Sequence, residues 1–235
     1  MRLSLIADLL AEPLPVGSNL LVEYDPASPW YSASLFIASR WLMTGGKVIY
    51  VTYAQTPESI RSHLKRLGVD VDKLEEKEAL WTADGYTVTL GRKSNEKYAM
   101  TSLKVHELSI EYSQTDKARD NRAFGVDLLR IVDSGSVLAR FNEEKTWIEF
   151  ELTRRFARTR QQNSLMIYGV MLGVHSVWAY KPLEGEADAI IDFKTDEVEG
   201  EVKDFLRIRS MRNISCDRRW HPLKVEKTLE LTLEN

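Results

Sequence analysis

Cysteine is almost missing: the 235-residue chain has one, Cys216. A lone thiol excludes an intramolecular disulfide and any multi-cysteine metal centre, and it fits a reducing cytoplasm. No redox motif surrounds Cys216, so an inert thiol is the default. Histidine is scarce too. His63, His106, His175 and His221 are scattered without metal-ligand spacing, so no metal is expected. His175 precedes a helical stretch and reads as structural. Ser34 and Ser136 lack the context of a nucleophile elbow. No run approaches 18 apolar residues, which leaves no candidate membrane span. The apolar start, Met1 to Leu10, is short, contains Asp8 and lacks a cleavage site; it reads as a segment packed on the body rather than a signal peptide. There is no internal repeat and no low-complexity tract. A basic excess is also missing: 32 Lys and Arg face 35 Asp and Glu, a formal net charge of −3. That balance argues against wholesale wrapping of nucleic acid, though it allows a local basic patch.

What is present is material for a large core. Hydrophobic residues make up 43% of the chain, with six tryptophans, and the length suits a single domain over residues 1–235. Buried-strand patterns occur at Leu20–Tyr24, Lys47–Tyr53, Leu80–Asp84, Phe124–Asp133 and Leu165–Leu172. Continuous apolar runs of this kind suit a parallel sheet covered on both faces. Between them lie helical patterns at Ser32–Met43, in the segment after Thr56, at Val69–Glu78, at Asn142–Gln161 and at Ser176–Ala187. Thr56 is an N-cap candidate with Pro57 at the first helical position, and Gly68 closes that helix. Tyr86–Leu90 reads as strand or loop, Gly91–Met100 as exposed polar chain, and Ser102–Ala118 as helix. The last third is strands, at Ala189–Lys194, Phe205–Arg209, Leu223–Lys227 and Leu229–Leu233. Helices alternating with strands, followed by antiparallel hairpins, predict an α/β fold with a mostly parallel sheet and C-terminal antiparallel strands.

The stretch from Leu20 to Met43 has the strand–loop–helix layout of a phosphate-binding P-loop, yet the binding residues are replaced. A working loop reads G-x-x-x-x-G-K-[ST], its glycines letting successive N–H groups curl around an anion. Laid over Tyr24, Asp25, Pro26, Ala27, Ser28, Pro29, Trp30 and Tyr31, the glycine places hold Tyr24 and Pro29. The lysine place holds Trp30 and the hydroxyl place Tyr31. Pro29 has no N–H to give and biases Ser28 away from the helical region. Trp30 brings no cation. Hydrogen bonds to charged groups are each worth about 1.5–3 kcal/mol, so losing the lysine and two backbone donors weakens triphosphate binding by several kcal/mol. These residues are expected to fill the pocket as core. The alternative is an ordinary strand–loop–helix that never bound phosphate.

In the order of its parts, the chain resembles the archaeal KaiC/RecA-like ATPases, including RadA-paralogue-like members. The similarity runs through Gly17–Pro26, Val48–Tyr53, Thr56–Arg61, Gly68–Asp70 and Leu128–Asp133. It continues through Val174–Ser176, Glu186–Asp192, Arg209–Arg212 and Arg218–Val225. The resemblance implies a RecA-like three-layer core. It makes Asp133 the relic of a magnesium-side Walker B aspartate, with a bland alternative in which Asp133 caps the turn at Ser134 or Ser136. It makes Arg212 an arginine that reaches across a subunit interface.

Departures from the family pattern shape the functional expectation. Where relatives carry an acidic pair after the second strand, this chain has Ala54 and Gln55, and neither can take a proton from water. The terminal phrase, usually Lys-Met-Arg-Gly, reads Ser210, Met211, Arg212 and Asn213. The resemblance so modified implies a pseudo-ATPase without catalytic residues or cofactor. Its expected role is that of a regulatory or scaffold subunit in a homo- or hetero-oligomer with KaiC/RecA-like protein partners. A DNA-binding accessory protein is the alternative, with Arg154, Arg155 and Arg158 as candidate contacts and Arg207, Arg209, Arg212, Arg218 and Arg219 beside them. An unconventional nucleotide-binding ATPase stands third.

Overall fold

The computed structural model describes residues 3, 5–108, 127–226 and 230–233. Ten strands among them form one sheet: β1 (Asn19–Tyr24), β2 (Lys47–Thr52), β3 (Leu80–Asp84), β4 (Tyr98–Ala99), β5 (Leu128–Val132), β6 (Leu165–Met171), β7 (Ala189–Val198), β8 (Glu201–Met211), β9 (His221–Val225) and β10 (Leu231–Leu233). Their spatial order is β10-β9-β8-β7-β1-β6-β5-β2-β3-β4. Pairings from β7 across to β4 are parallel, and those from β7 out to β10 are antiparallel. The expected α/β fold, a mostly parallel sheet with antiparallel C-terminal strands, is therefore what the chain adopts.

Strand residues alternate between two cores, as a two-residue period requires. Leu20, Val22, Tyr24, Val48 and Tyr50 face one side, under α1 (Trp30–Met43), α2 (Pro57–Arg66) and α3 (Val71–Glu76). Leu21, Ile49 and Val51 face the other, where Trp147, Phe150, Phe156 and Leu183 pack. The Leu3–Leu14 segment adds its leucines to the first core, and Leu10 bridges Cys216. α1 ends at Thr44, and Gly45 follows at φ +88, a left-handed turn that glycine enters without steric cost. Thr56 caps α2 by accepting the Ser59 N–H at 3.1 Å, as its position in the sequence predicts.

Three expectations about the elements change. Tyr86–Thr89 is one helical turn (α4), because the buried Asp84 carboxylate accepts the Thr87 N–H at 3.0 Å and starts a helix there. Within the exposed polar stretch, Tyr98 and Ala99 pair with Ala83 and Asp84 as a short edge strand. The helix expected over Asn142–Gln161 is α5 (Glu144–Phe150) and α6 (Ala157–Gln161), joined by a wide π turn at Glu151–Phe156. Such turns insert a residue into the helical repeat and re-aim the side chains that follow. α7 (Val177–Glu186) then leads into β7. Of the helix expected over Ser102–Ala118, Val105–Leu108 is helical and residues 109–118 lie outside the described residues, as do 124–126 of the fifth strand pattern.

Candidate functional site

The loop from Asp25 to Pro29 joins β1 to α1 at the carboxyl end of the parallel strands, where α/β sheets place their ligand sites. Its backbone is turned inward. Asp25 Oδ1 accepts the Ala27 N–H at 2.9 Å, and the Asp25 carbonyl accepts both the Ser28 N–H (2.9 Å) and the Ser28 hydroxyl (2.6 Å). The Asp25 N–H itself goes to the Phe193 carbonyl at 2.9 Å. The N–H groups of Asp25, Ala27 and Ser28, which in a glycine-rich loop would be open to an anion, are committed to the protein here.

Trp30, the first residue of α1, is fully buried. Its indole N–H donates to the Asp133 carbonyl at 2.7 Å, and its ring lies 5.5 Å from Phe193 and 6.0 Å from Tyr24. Room for it comes from Gly169 on β6: a Cβ there would stand 2.6 Å from the indole nitrogen. Tyr31 is partly buried beside it. The Tyr24 hydroxyl donates to Ser134 Oγ at 2.8 Å and lies 3.1 Å from the Tyr31 hydroxyl. Burial pushes both phenols above their ordinary range, so they stay neutral donors.

Asp133, just after β5, has no exposed surface. Its carboxylate accepts the Thr52 hydroxyl at 2.8 Å, the Tyr53 N–H at 2.9 Å and the Ala54 N–H at 3.4 Å. Burial raises its carboxyl to about 6 against these hydrogen bonds, to which the Ser134 amide adds. The expectation that Asp133 caps its own following turn covers only part of its bonding, since the Ser134 amide is one of four donors. Most of its donors come from the end of β2, so it clamps one strand to the next. Ala54 and Gln55 follow that clamp directly; Gln55 bonds Ser59 Oγ and the Thr52 hydroxyl.

The arginines separate. Arg154 is exposed, and Arg158 is partly buried. Arg155 is only 3% exposed, with Nη1 3.2 Å from Glu151 and Nη2 donating to the Tyr53 hydroxyl at 2.6 Å. The π turn explains this, because it rotates Arg155 inward between Phe150, Tyr53 and Tyr168. As a surface contact for nucleic acid, Arg155 is a wrong expectation. Arg209 lies among Glu23, Glu184 and Asp192, and Arg207 donates to Asp192 at 2.6 Å. Arg219 pairs with Asp217. Arg212 is half exposed and donates to the Gly185 carbonyl at 2.8 Å, which folds it against the end of α7.

Two clusters escape a reading of the sequence. Three carboxylates, from Glu23, Glu184 and Asp192, gather around Arg209; desolvation carries the Glu23 carboxyl up to about 7 despite that cation. Residues 144 and 175, far apart in the chain, meet beside Ser136. Neither has a local sequence signal. A shallow groove of about 520 Å³ along α2, lined by Glu58, Arg61, Ser62, Lys65 and Arg66, is separate from the loop. Among the described residues no group of three or more His, Cys, Asp or Glu is arranged to hold a metal ion, and no helix is long and apolar enough to cross a membrane.

Comparison with known proteins gives consistent results. Residues 32–230 match the family described as "ATPase: KaiC". The UPF0273 protein PH0284 of Pyrococcus horikoshii is 30% identical over 222 residues, covering 94% of this chain and 87% of its own length. The UPF0273 protein PF1931 of Pyrococcus furiosus is 28% identical over 220 residues, covering 93% and 86%. The crystal structure of the KaiC-like protein PH0186 from P. horikoshii superposes with a TM-score of 0.72 at 15% identity, covering 97% of this chain and 94% of that one.

Proposed function

The chain belongs to the KaiC ATPase family, and from that premise we propose that it is a member without ATP hydrolysis, acting as a regulatory or scaffold subunit that binds other proteins. One observation carries the reading. Trp30 stands where a P-loop has its lysine, is fully buried, and its indole N–H is spent on the Asp133 carbonyl. The residues around it agree. Phosphoryl transfer depends on backbone donors, a lysine and a metal-bound aspartate arrayed around the phosphates. Here the loop donors are satisfied internally, and the Asp133 carboxylate serves strand β2. The family match begins at residue 32, just past this loop. Function would then rest on association through surfaces, with Arg212 as a candidate interface residue. DNA binding gains little from Arg155, Arg207 and Arg209, since Arg155 is buried and the other two are paired with carboxylates.

Calorimetry with Mg-ATP and a steady-state phosphate-release assay test the proposal. We expect no heat of binding at 1:1 stoichiometry with ATP at about 1 mM, where a site of micromolar affinity would be saturated. A magnesium-dependent turnover abolished by Asp133→Ala would overturn it.

A further inference from the structure

The geometry points to a second site on this chain, a Ser136–His175–Glu144 triad able to carry out acyl transfer on a neutral, apolar carboxylic ester. Ser136 Oγ and His175 Nε2 are 2.7 Å apart, and His175 Nδ1 is 3.5 Å from Glu144 Oε1. A nucleophile within hydrogen-bond reach of a base, itself oriented by a third group, is the arrangement that activates serine. Three separate elements supply it. Ser136 is the second residue of the 3₁₀ turn Gly135–Arg140 after β5, Glu144 is the first residue of α5, and His175 lies between β6 and α7. Convergence from positions so far apart in sequence is what a site requires and what a local cap does not.

Each member is held in place. Glu144 accepts the Ser176 N–H at 3.0 Å and the Ser176 hydroxyl at 2.6 Å, which keeps the carboxylate beside the ring. The His175 ring lies 4.7 Å from Trp147 and 5.7 Å from Tyr180. Ser136 Oγ accepts the Met171 N–H at 2.8 Å, which fixes its rotamer and leaves it one further lone pair. Desolvation holds His175 below its ordinary range, outweighing Glu144, so the ring is the free base at neutral pH. Leu172, Val174, Val177 and Trp178, on both sides of His175 in the chain, are exposed. They offer apolar surface to a substrate, and the Glu144 charge disfavours an anionic one.

The step balances with water as the only co-reactant. Ser136 Oγ bonds to the ester carbonyl carbon while its proton passes to His175 Nε2. The carbonyl re-forms as the bond to the alcohol oxygen breaks, and the alcohol leaves with that proton. Water then adds to the acyl-serine, giving a proton to Nε2. The serine oxygen departs and takes that proton back, releasing a carboxylic acid and the free hydroxyl.

The test uses the full-length, unsubstituted protein. A fluorophosphonate probe followed by peptide mapping should give one adduct, on Ser136. Hydrolysis of p-nitrophenyl butyrate should rise with pH as His175 loses its proton. It should fall about 100-fold or more in His175→Gln, the scale of general-base assistance, and in Ser136→Ala. Because Ser136→Ala also deprives the Met171 N–H of its acceptor, circular dichroism accompanies it and His175→Gln is the second variant. An unlabelled Ser136 in folded protein overturns the inference, as does butyrate hydrolysis that survives both substitutions.

Discussion

Truncating Trp30 to alanine separates a plugged loop from an open one. The side chain has no exposed surface and sits among Tyr24, Phe193 and Gly169. A buried tryptophan removes about 150–250 Å² from water, which at about 25 cal/mol per Å² corresponds to roughly 4–6 kcal/mol. That is an upper figure, since an unfolded chain already shields part of the ring. Measured large-to-alanine changes in cores cost about 3–5 kcal/mol. The Asp133 carbonyl, deprived of its donor, adds about 1 kcal/mol or more unless water enters the cavity. The expected loss is therefore about 4–6 kcal/mol, a large share of the roughly 5–15 kcal/mol that a domain possesses. Urea denaturation followed by far-ultraviolet circular dichroism measures it as a lowered midpoint at unchanged slope. A loss below about 1 kcal/mol would refute the reasoning, because a residue lining an open ligand pocket contributes little to the fold.

The Glu151–Arg155 pair gives a second prediction. Arg155→Ala strands a fully buried carboxylate and should cost about 3–5 kcal/mol, whereas Glu151→Leu combined with Arg155→Met should recover most of that in the same denaturation assay. Glu23 gives a third. Its folded-state carboxyl lies near 7, above the ordinary 4.5, so its contribution to stability is full below about pH 4.5 and is lost as pH rises through about 7. In Glu23→Gln the fall in stability across that window should shrink, as read from thermal midpoints at pH 4.5, 6 and 7.5; an unchanged profile would place the titration elsewhere.

Much of the parallel sheet is legible in the sequence, because each buried strand is a continuous apolar run and the helices between them carry their own caps. Thr56 and Pro57 are cases in point, and so is the burial of Trp30 as core. What escapes is whatever depends on turning the chain by one residue or on partners distant in sequence. Arg155 sits in a run of arginines that reads as a solvated helix end, yet one inserted residue at Glu151–Phe156 swings it into the core. Tyr86 follows a glycine in a β-rich stretch, but the Asp84 carboxylate just before it accepts the Thr87 N–H and favours a helical turn. The main destination of the Asp133 carboxylate could not be read from its own neighbours, since Thr52, Tyr53 and Ala54 lie at or just past the end of β2. The acidic cluster around Arg209 draws on β1, β7, β8 and α7 and leaves no trace in any one of them.

The absent side chain at position 169 has a consequence for how this chain can change over time. A methyl there would stand 2.6 Å from both the Trp30 indole nitrogen and the Asp133 carbonyl oxygen, so position 169 stays glycine whatever occupies position 30. Exchanging Trp30 for a lysine would in turn leave a void above that bare backbone and put a cation in a compartment lined with rings. A single substitution at either place is penalised, and changing Trp30 does not free position 169. The ring and the backbone oxygen thus hold position 169 to glycine on two independent counts.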